Sequence, residues 1–341
     1  MRRTYYVILA GLSIGLAVTV FAWCRPQSVI RQARADWLVL AGLLFAASLV
    51  LWSGVWASML RRACHSNAKE QTCADGGLPK DPSFLPAFSV SMASLFGLTT
   101  PLNLGSDALR VWYARRYLGL GSTAIIGASL VTRELKLHLT FPLVLCAVLC
   151  PLAGTEWSKA WVALAGLSLL EALLRVMRAA WARPLMRRLR VEAYAQSALA
   201  LCRELSPGHR IVFYSTFGLA FFLEWLALVT ALQALDLKLP LPTSAWLYVW
   251  LYLLSRTPFS FQGIGVVEVG GLVALTAAGL APAQAGALLV LWAAIRLVTP
   301  LSVSAIFAAW LAASSRPILP GGALSLGPGE EKPAYRRIQN A

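Results

Sequence analysis

The chain has 341 residues, of which 58% are hydrophobic and 13% are charged, whereas a typical soluble domain is about 45–50% apolar. This composition excludes an ordinary soluble protein and, with its long apolar segments, indicates an all-α polytopic membrane protein. The formal charge of +15 does not indicate a nucleic-acid partner here, because the basic residues gather in loops beside apolar segments, as in cytoplasmic loops of membrane proteins.

The first apolar segment, Tyr5 to Trp23, follows Arg2 and Arg3. It is long for the apolar core of a secretory signal, and the bulky Trp23 stands where a small residue would be needed before cleavage. We interpret it as a retained first helix with a cytoplasmic N-terminus. Trp37 to Met59 predicts a second helix that returns the chain to the cytoplasm.

The next apolar stretch, Ser83 to Leu104, is broken by prolines and glycines, among them Pro101. A full crossing here would place the later basic loop, residues 175–210, outside the cell, against the positive-inside rule. The pattern therefore favours a re-entrant dip, whose irregular backbone survives at membrane depth only where protein or a watery cavity covers it.

Further apolar segments follow in both halves of the chain. Residues 259–280 form either a second re-entrant segment or a broken full span, and residues 317–341 predict a polar, disordered tail. Together, the segments predict about seven or eight spans within a membrane domain of residues 1–316. The remaining predicted helices are Thr123 to Leu149, Trp161 to Leu174, Ile211 to Leu235, Ala245 to Leu254 and Ala283 to Ala313.

Two stretches share an order of residues that indicates an internal repeat. "TTPLNLGSD" begins at Thr99 and "RTPFSFQGIG" begins at Arg256, and each is followed by Gly-Leu, Gly-Ala and an arginine inside an apolar helix. We predict half-repeats at residues 82–150 and 245–313. Paired interrupted segments of this kind are typical of transporters with a binding site near the middle of the membrane.

Neither the cysteines nor the histidines are spaced as metal ligands, so no metal and no cofactor is expected. "GLSIG", Gly11 to Gly15, matches a nucleophile elbow but lies within a continuous apolar helix, so it does not predict catalysis. No ATP-binding motif occurs, and transport would therefore be passive, downhill or coupled to an ion. The residues leave an enzymatic activity open without favouring one.

Several charged residues lie inside or beside apolar segments, where an ionised side chain is costly. Glu224 and Arg296 lie near the middle of their helices, so each should face the protein interior and find a partner. Both join the candidate headgroup site; interior ion pairing is the simpler interpretation. The functional interpretation is that Arg133 and Arg296, on the repeat-related helices, bind a phosphate headgroup, because guanidinium binds phosphate in a fork and keeps its charge when desolvated. Glu268 would then balance an arginine in the empty site, or carry a proton.

Glu268 lies in "SRTPFSFQGIGVVEVGG", residues 255–271. Pro258 would break a helix here, and Gly263 and Gly265 would allow a close approach of backbone or ligand. These residues therefore join the candidate headgroup site.

"GSDALR" places Asp107 and Arg110 three residues apart on one helix face, with Asp107 near the helix N-terminus, where a carboxylate is favoured. We expect Ser106 to cap this helix. With Pro101, Asp107 and Arg110 join the candidate site; the structural alternative is a capped interfacial helix with a local ion pair.

These elements resemble the lysylphosphatidylglycerol synthase transmembrane-region family, also described as the flippase-like domain family. The resemblance rests on "TPLNLGSDALRVWYARR" followed by "GASLVTRE", and on "TPFSFQGIGVVEVG" followed by the arginine in "LWAAIR". It covers roughly residues 82–300. The sequence departs from the family pattern at Gly105 to Asp107, where members more often have Gly-Gly or Gly-Glu.

The resemblance implies a helical bundle in the bacterial cytoplasmic membrane, with re-entrant segments around a lipid-accessible cavity. Some members carry a cytosolic aminoacyl-transferase domain that makes the lipid. The polar tail of this sequence is too short for such a domain, so a stand-alone translocator-like member is expected.

The leading hypothesis is a lipid translocator, which moves a phospholipid or an isoprenoid- or hopanoid-type lipid between leaflets. Its expected partners are membrane lipids with an anionic or phosphate headgroup, and further copies of the chain or enzymes of lipid synthesis. The alternative is a membrane-embedded enzyme or an accessory scaffold of a lipid or glycan-lipid pathway, because fold alone does not transfer a function.

Overall fold

The structure, a computed structural model, describes residues 15, 17–71, 83–99, 104–152, 198, 200–255 and 264–314. Its regular elements in these ranges are helical, with no strand, which confirms the predicted all-α class. A 3₁₀ segment, Ser94–Thr99, extends the helix Phe84–Ala93, and a π-helical turn, Ala114–Leu118, extends the helix Leu104–Tyr113. The helices are α1 (17–24), α2 (Gln27–Arg31), α3 (Ala35–Gln71), α4 (Phe84–Ala93), α5 (Leu104–Tyr113), α6 (Ser122–Leu152), α7 (Pro207–Ala234), α8 (Leu241–Leu254), α9 (Val266–Ala277) and α10 (Pro282–Ser314).

Three of the described helices are long and apolar enough to cross a bilayer, namely Ala35–His65 of α3, α7 and α10. α8 and α9 are apolar but shorter; their 14 and 12 residues rise about 21 and 18 Å, less than the roughly 30 Å of a hydrocarbon core. The total number of spans stays a prediction, because Trp161 to Leu174, among others, lies outside the described residues.

α3 and α7 form the central antiparallel pair. The backbone N–H of Arg34 donates to the carbonyl of Ala234 at 2.8 Å, where α3 begins and α7 ends. Further along, the rings of Trp52 and Phe217 lie 4.8 Å apart. Ser206 caps α7 and a proline follows it at the first helical position, a combination that favours a helix start.

Two hydrophobic cores are stacked along this pair. We call the end at which α3 begins and α7 ends the upper end, and the opposite end the lower end. α8, α9 and the first half of α10 pack into the upper core, whereas α6 and the base of α4 pack into the lower core. Representative buried residues are Phe45, Leu228, Leu251, Leu275 and Leu288 above, and Trp56, Ala87, Ile125, Phe217 and Leu311 below.

α4 and α5 form a hairpin that rises from the lower end toward the middle of the bundle. At its tip the backbones approach so closely that a Cβ on Gly97 would lie 2.1 Å from the backbone nitrogen of Ser106. Lower down, the Arg110 guanidinium reaches the Ser91 hydroxyl at 3.5 Å. The chain therefore reverses direction, as the predicted re-entrant dip requires.

α10 supports the irregular backbone of this first hairpin. The hydroxyl of Ser304 accepts a hydrogen bond from the N–H of Phe96 at 3.1 Å and donates one to the carbonyl of Ala93. Both backbone groups lie where α4 changes into the 3₁₀ segment. Because backbone groups at membrane depth need partners, Ser304 supplies what the interrupted helix lacks.

α8 and α9 form a second hairpin, which enters from the upper end. α8 follows α7 after a short turn and descends along it, with the rings of Phe221 and Tyr252 5.2 Å apart near its lower end. α9 returns beside α8, where the indole N–H of Trp250 donates to the carbonyl of Gly270 at 3.3 Å. The two hairpins therefore enter the bundle from opposite ends.

Each predicted half-repeat, residues 82–150 and 245–313, contains one of these hairpins and the long helix that follows it, α6 or α10. Opposed units of this kind are found in transporters built from inverted repeats. The repeat relation itself stays a prediction.

Candidate functional site

The two short helices that return from the hairpin tips each carry an acidic residue in their first turn. Asp107 lies in the first turn of α5, as predicted, and Glu268 lies in the first turn of α9. A carboxylate is stabilised there by the positive end of the helix dipole. In each half, the following long helix brings an arginine to the acid, Arg133 from α6 and Arg296 from α10.

Asp107 lies between two arginines. Its Oδ1 is 3.3 Å from Nη1 of Arg110, one turn later on α5, and its Oδ2 pairs with Nη2 of Arg133. The local ion pair of the structural alternative, between Asp107 and Arg110, is therefore present, and Arg133 gives the cluster a net positive charge. The side chain of Arg110 is 14% exposed and that of Arg133 is 43% exposed, so Arg133 is the more accessible cation.

Arg110 is held inside the hairpin. Its guanidinium lies over the ring of Trp56, 5.0 Å from the centroid. Within the described residues, its Nε and the buried hydroxyl of Ser106 have no hydrogen-bond partner. The expectation that Ser106 caps α5 is wrong: the helix begins at Leu104, so Ser106 lies inside its first turn, packed against the hairpin tip.

Glu268 caps its own helix. Its carboxylate accepts a hydrogen bond from the backbone N–H of Gly265, the residue that precedes α9; this is one of the two bonds of a capping box, since glycine has no side chain to form the other. Gly265 has a φ of 88°, a conformation that favours glycine. Glu268 is 6% exposed, and its hydrogen bond with Gly265 stabilises the start of α9.

Glu268 and Arg296 both line a cavity of about 310 Å³ between α1, α9 and α10. The two opposite charges therefore border the same apolar cavity, where they attract each other. That Glu268 balances Arg296 stays a prediction. The rest of the wall is apolar and consists of Ala17, Val18, Phe21, Ile264, Val290, Ala293, Ala294 and Leu297.

Glu224 lies where the two cores meet and is 8% exposed, as expected for an acid that faces the interior. The indole N–H of Trp52 donates to Oε1 and the hydroxyl of Tyr248 donates to Oε2, both at 2.8 Å. The Ser48 hydroxyl reaches Oε1 at 3.5 Å. These described partners are neutral donors from α3 and α8, so both carboxylate oxygens are satisfied by hydrogen bonds and not by a direct ion pair of the kind expected.

Lys136, one turn after Arg133 on α6, places its ammonium over the ring face of Trp52. Its Nζ is 3.5 Å from the centroid of the Trp52 ring, 5.5 Å from that of Phe221 and 5.6 Å from that of Tyr252. We call these three rings the aromatic cage. Sequence reasoning missed the cage; its visible signs are a lysine within an apolar helix and the many aromatic residues of α7 and α8.

Three predicted site residues, Pro101, Pro258 and Gly263, lie outside the described residues, and their part in the site stays a prediction. Arg133 and Arg296 occupy two settings, one beside α5 and the other beside α9, and whether they share one cavity also stays a prediction. In the described part of the chain, no three His, Cys, Asp or Glu side chains are grouped to bind a metal ion.

A helical bundle with long apolar helices and charged side chains near the tips of two opposed hairpins is a polytopic integral membrane protein. The chain belongs to the family of the lysylphosphatidylglycerol synthase transmembrane region, whose model matches residues 8–304. This match confirms the resemblance seen in the sequence and places the chain in a family of membrane domains tied to lipid modification and flippase-like function. No curated protein and no solved structure matches the chain.

Proposed function

We propose that the protein is a lipid translocator, which carries a phosphate-bearing headgroup between leaflets while the lipid tails remain in the bilayer. One observation carries this proposal. Asp107 and Glu268 lie in the first turns of helices on two hairpins that enter the bundle from opposite ends, and each acid lies beside an arginine. Secondary transporters build their central sites from paired broken helices of this kind.

On the first hairpin, Arg133 is the group that binds the phosphate. A guanidinium binds phosphate through two parallel hydrogen bonds, which gives both strength and orientation. When Arg133 turns from Asp107 to a phosphate, Asp107 keeps its pair with Arg110. No carboxylate is left unpaired, so the exchange avoids the large cost of an uncompensated charge.

On the second hairpin, Arg296 offers the same chemistry inside the apolar cavity. A phosphate there competes with Glu268 for Arg296, and Glu268 keeps the hydrogen bond from Gly265 whichever partner the arginine takes. The apolar wall formed by α1 and α10 suits the part of the lipid tails next to the headgroup, because removal of apolar surface from water is favourable.

We further propose that the lower end faces the cytoplasm in a bacterial inner membrane, because Arg61, Arg62, Arg115 and Arg116 lie there. In a chain whose native cysteines are replaced, a cysteine at Gly121, exposed between α5 and α6, should react with an impermeant maleimide only in opened membranes. Labelling of intact spheroplasts would reverse the assigned orientation.

The test of translocation is leaflet exchange of a fluorescent phospholipid in vesicles that contain the purified protein and no nucleotide. Dithionite bleaches the outer leaflet only, so a further loss of signal measures exchange. Arg133→Gln and Arg296→Gln should each slow exchange by roughly 10- to 100-fold, since each removes a charge-assisted contact worth about 1.5–3 kcal/mol.

Val298→Ala is the matched control for Arg296→Gln. Val298 lies two residues away on α10, is 57% exposed and does not line the cavity. Folded arginine variants that exchange lipid as fast as the control would contradict the headgroup path. A wild-type protein that moves none of the tested lipids would favour the enzyme or scaffold alternative.

A further inference from the structure

The aromatic cage is the strongest feature that the proposed path has not yet used. Three helices contribute to it, with Trp52 from α3, Phe221 from α7 and Tyr252 from α8, and the nearest ring centroid is 3.5 Å from Nζ of Lys136. Several ring faces around one cation form the arrangement by which proteins recognise organic ammonium groups. The cage thus has the chemistry of a ligand site, and an internal lysine occupies it.

The cage also balances a buried charge. The ring face of Trp52 meets the ammonium of Lys136, while the indole N–H of the same residue donates to Glu224. The carboxylate at the N–H edge of the indole therefore lies near the cation over its face, and the two opposite charges offset each other. Removal of that cation without a replacement would leave a buried charge uncompensated, which is costly. What the cage requires is a cation, and any organic ammonium of suitable size meets that requirement.

The position of the cage relates it to the first hairpin. Arg133 and Lys136 are three residues apart on α6, so their side chains start on one helix face about 5–6 Å apart. Arg133 is the accessible arginine of the Asp107 cluster. Lysine carries its charge on a flexible four-carbon stem, which lets the ammonium of Lys136 reach a phosphate bound at Arg133.

We infer that the aromatic cage is the second half of the headgroup site and binds the organic ammonium of a zwitterionic phospholipid, whose phosphate binds Arg133 and Lys136. This inference rests on the proposed function, because it names the lipid class that the path carries. In the empty protein, Lys136 fills the cage. When the headgroup enters, Lys136 moves to the phosphate and the ammonium of the lipid takes its place.

The exchange keeps one positive charge beside Glu224 at every stage, so no step leaves the buried carboxylate alone. It also sets the geometry of the ligand. The phosphate and the ammonium must be separated by a linker short enough for two sites one helical turn apart. The two-carbon linker of ethanolamine and choline phospholipids fits this condition, whereas a glycerol headgroup offers no cation to the cage.

The first arm of the test measures the cage alone. Tetramethylammonium is titrated into the protein in nanodiscs of phosphatidylglycerol, which contain no amine lipid, and binding is followed by saturation-transfer NMR. Lys136→Met should bind the probe roughly tenfold more tightly than the wild type, because the internal occupant is gone. Lys136→Arg, which keeps a cation over the rings, should bind it no more tightly than the wild type. Addition of Phe221→Leu to Lys136→Met should remove the gain.

The second arm measures the lipid. In vesicles, the wild type should exchange tail-labelled phosphatidylethanolamine and phosphatidylcholine roughly tenfold faster than tail-labelled phosphatidylglycerol, the preference expected from one cation–π site. Phe221→Leu should reduce this ratio toward one.

The outcomes separate the ideas. If Lys136→Met binds no more tetramethylammonium than the wild type, the rings only anchor Lys136 and the inference is overturned. If the probe binds but phosphatidylglycerol moves as fast as the amine lipids, the cage takes a soluble amine and the headgroup assignment is overturned. Failure of the proposed function gives a different result, since no labelled lipid then moves, whatever the probe does.

Discussion

The two hairpins place an acid at the same point, the start of a returning helix, but they stabilise it differently. Asp107 is shared by two arginines, which leaves a net positive and partly exposed cluster. Glu268 takes a backbone hydrogen bond from its own helix start and, with Arg296, lines an apolar cavity. A net positive cluster attracts an anion more strongly than a neutral pair does, so the two tips should differ in their affinity for one headgroup.

The largest difference should appear when a single methyl group is added at each hairpin. A Cβ on Gly97 would lie 2.1 Å from the backbone nitrogen of Ser106, whereas a Cβ on Gly270 would lie 2.6 Å from the end of the flexible Leu254 side chain. Gly97→Ala should lower the free energy of unfolding by about 3 kcal/mol or more, and Gly270→Ala by about 1 kcal/mol. Unfolding in mixed micelles, followed by tryptophan fluorescence, measures both.

Equal losses at Gly97 and Gly270 would show that the first hairpin tip is no tighter than the second. The comparison needs no assumption about function, since both glycines lie in described segments and neither lines the cavity.

A smaller difference is expected when each acid loses its charge. Asp107→Asn leaves Arg110 and Arg133 facing each other without an anion, which should cost about 2–3 kcal/mol of stability. Glu268→Gln keeps a side-chain oxygen that accepts the N–H of Gly265, as glutamine does in other capping boxes, so its cost should be below about 1 kcal/mol. The same unfolding measurement applies. A loss of stability in Glu268→Gln as large as that in Asp107→Asn would mean that the charge beside Arg296, and not the cap, stabilises the second hairpin.

The smallest effect concerns the support that α10 gives to the first hairpin alone. Ser304→Ala leaves the carbonyl of Ala93 and the N–H of Phe96 without this partner and should cost about 1–2 kcal/mol. Ser302→Ala, at an exposed position on the same helix, is the control and should change stability little. Hydrogen exchange of the Phe96 amide should rise in the first variant only; unchanged protection would assign the support to packing alone.

The sequence predicted what short-range patterns encode. Apolar length gave α10 to within one residue at each end, Pro282–Ser314 against the predicted 283–313. Spacing of three residues gave the pair of Asp107 and Arg110, and the proline and glycine breaks gave the reversal at the first hairpin. Each of these features depends on neighbours within a few turns of one helix.

The features that the sequence did not predict join residues far apart in the chain. Trp52 and Glu224 are 172 residues apart, and nothing local to either shows that the indole donates to the acid. The role of Ser304 was missed for the same reason, because its partners lie on α4 and the 3₁₀ segment. The wrong cap at Ser106 has a different cause: α5 begins two residues earlier, at Leu104, and Ser106 lies inside its first turn, where the backbone packs against Gly97.

The contact between Ser304 and the first hairpin makes α10 a mechanical link between the two halves of the bundle. The same helix carries Arg296, eight residues and about 12 Å away, at the cavity of the second hairpin. A helix behaves as a stiff rod except where a residue such as Pro300, between these two points, removes a backbone hydrogen bond and permits a bend. A stiff α10 would carry a displacement at one hairpin to the tip of the other, and a bend at Pro300 would reduce what arrives.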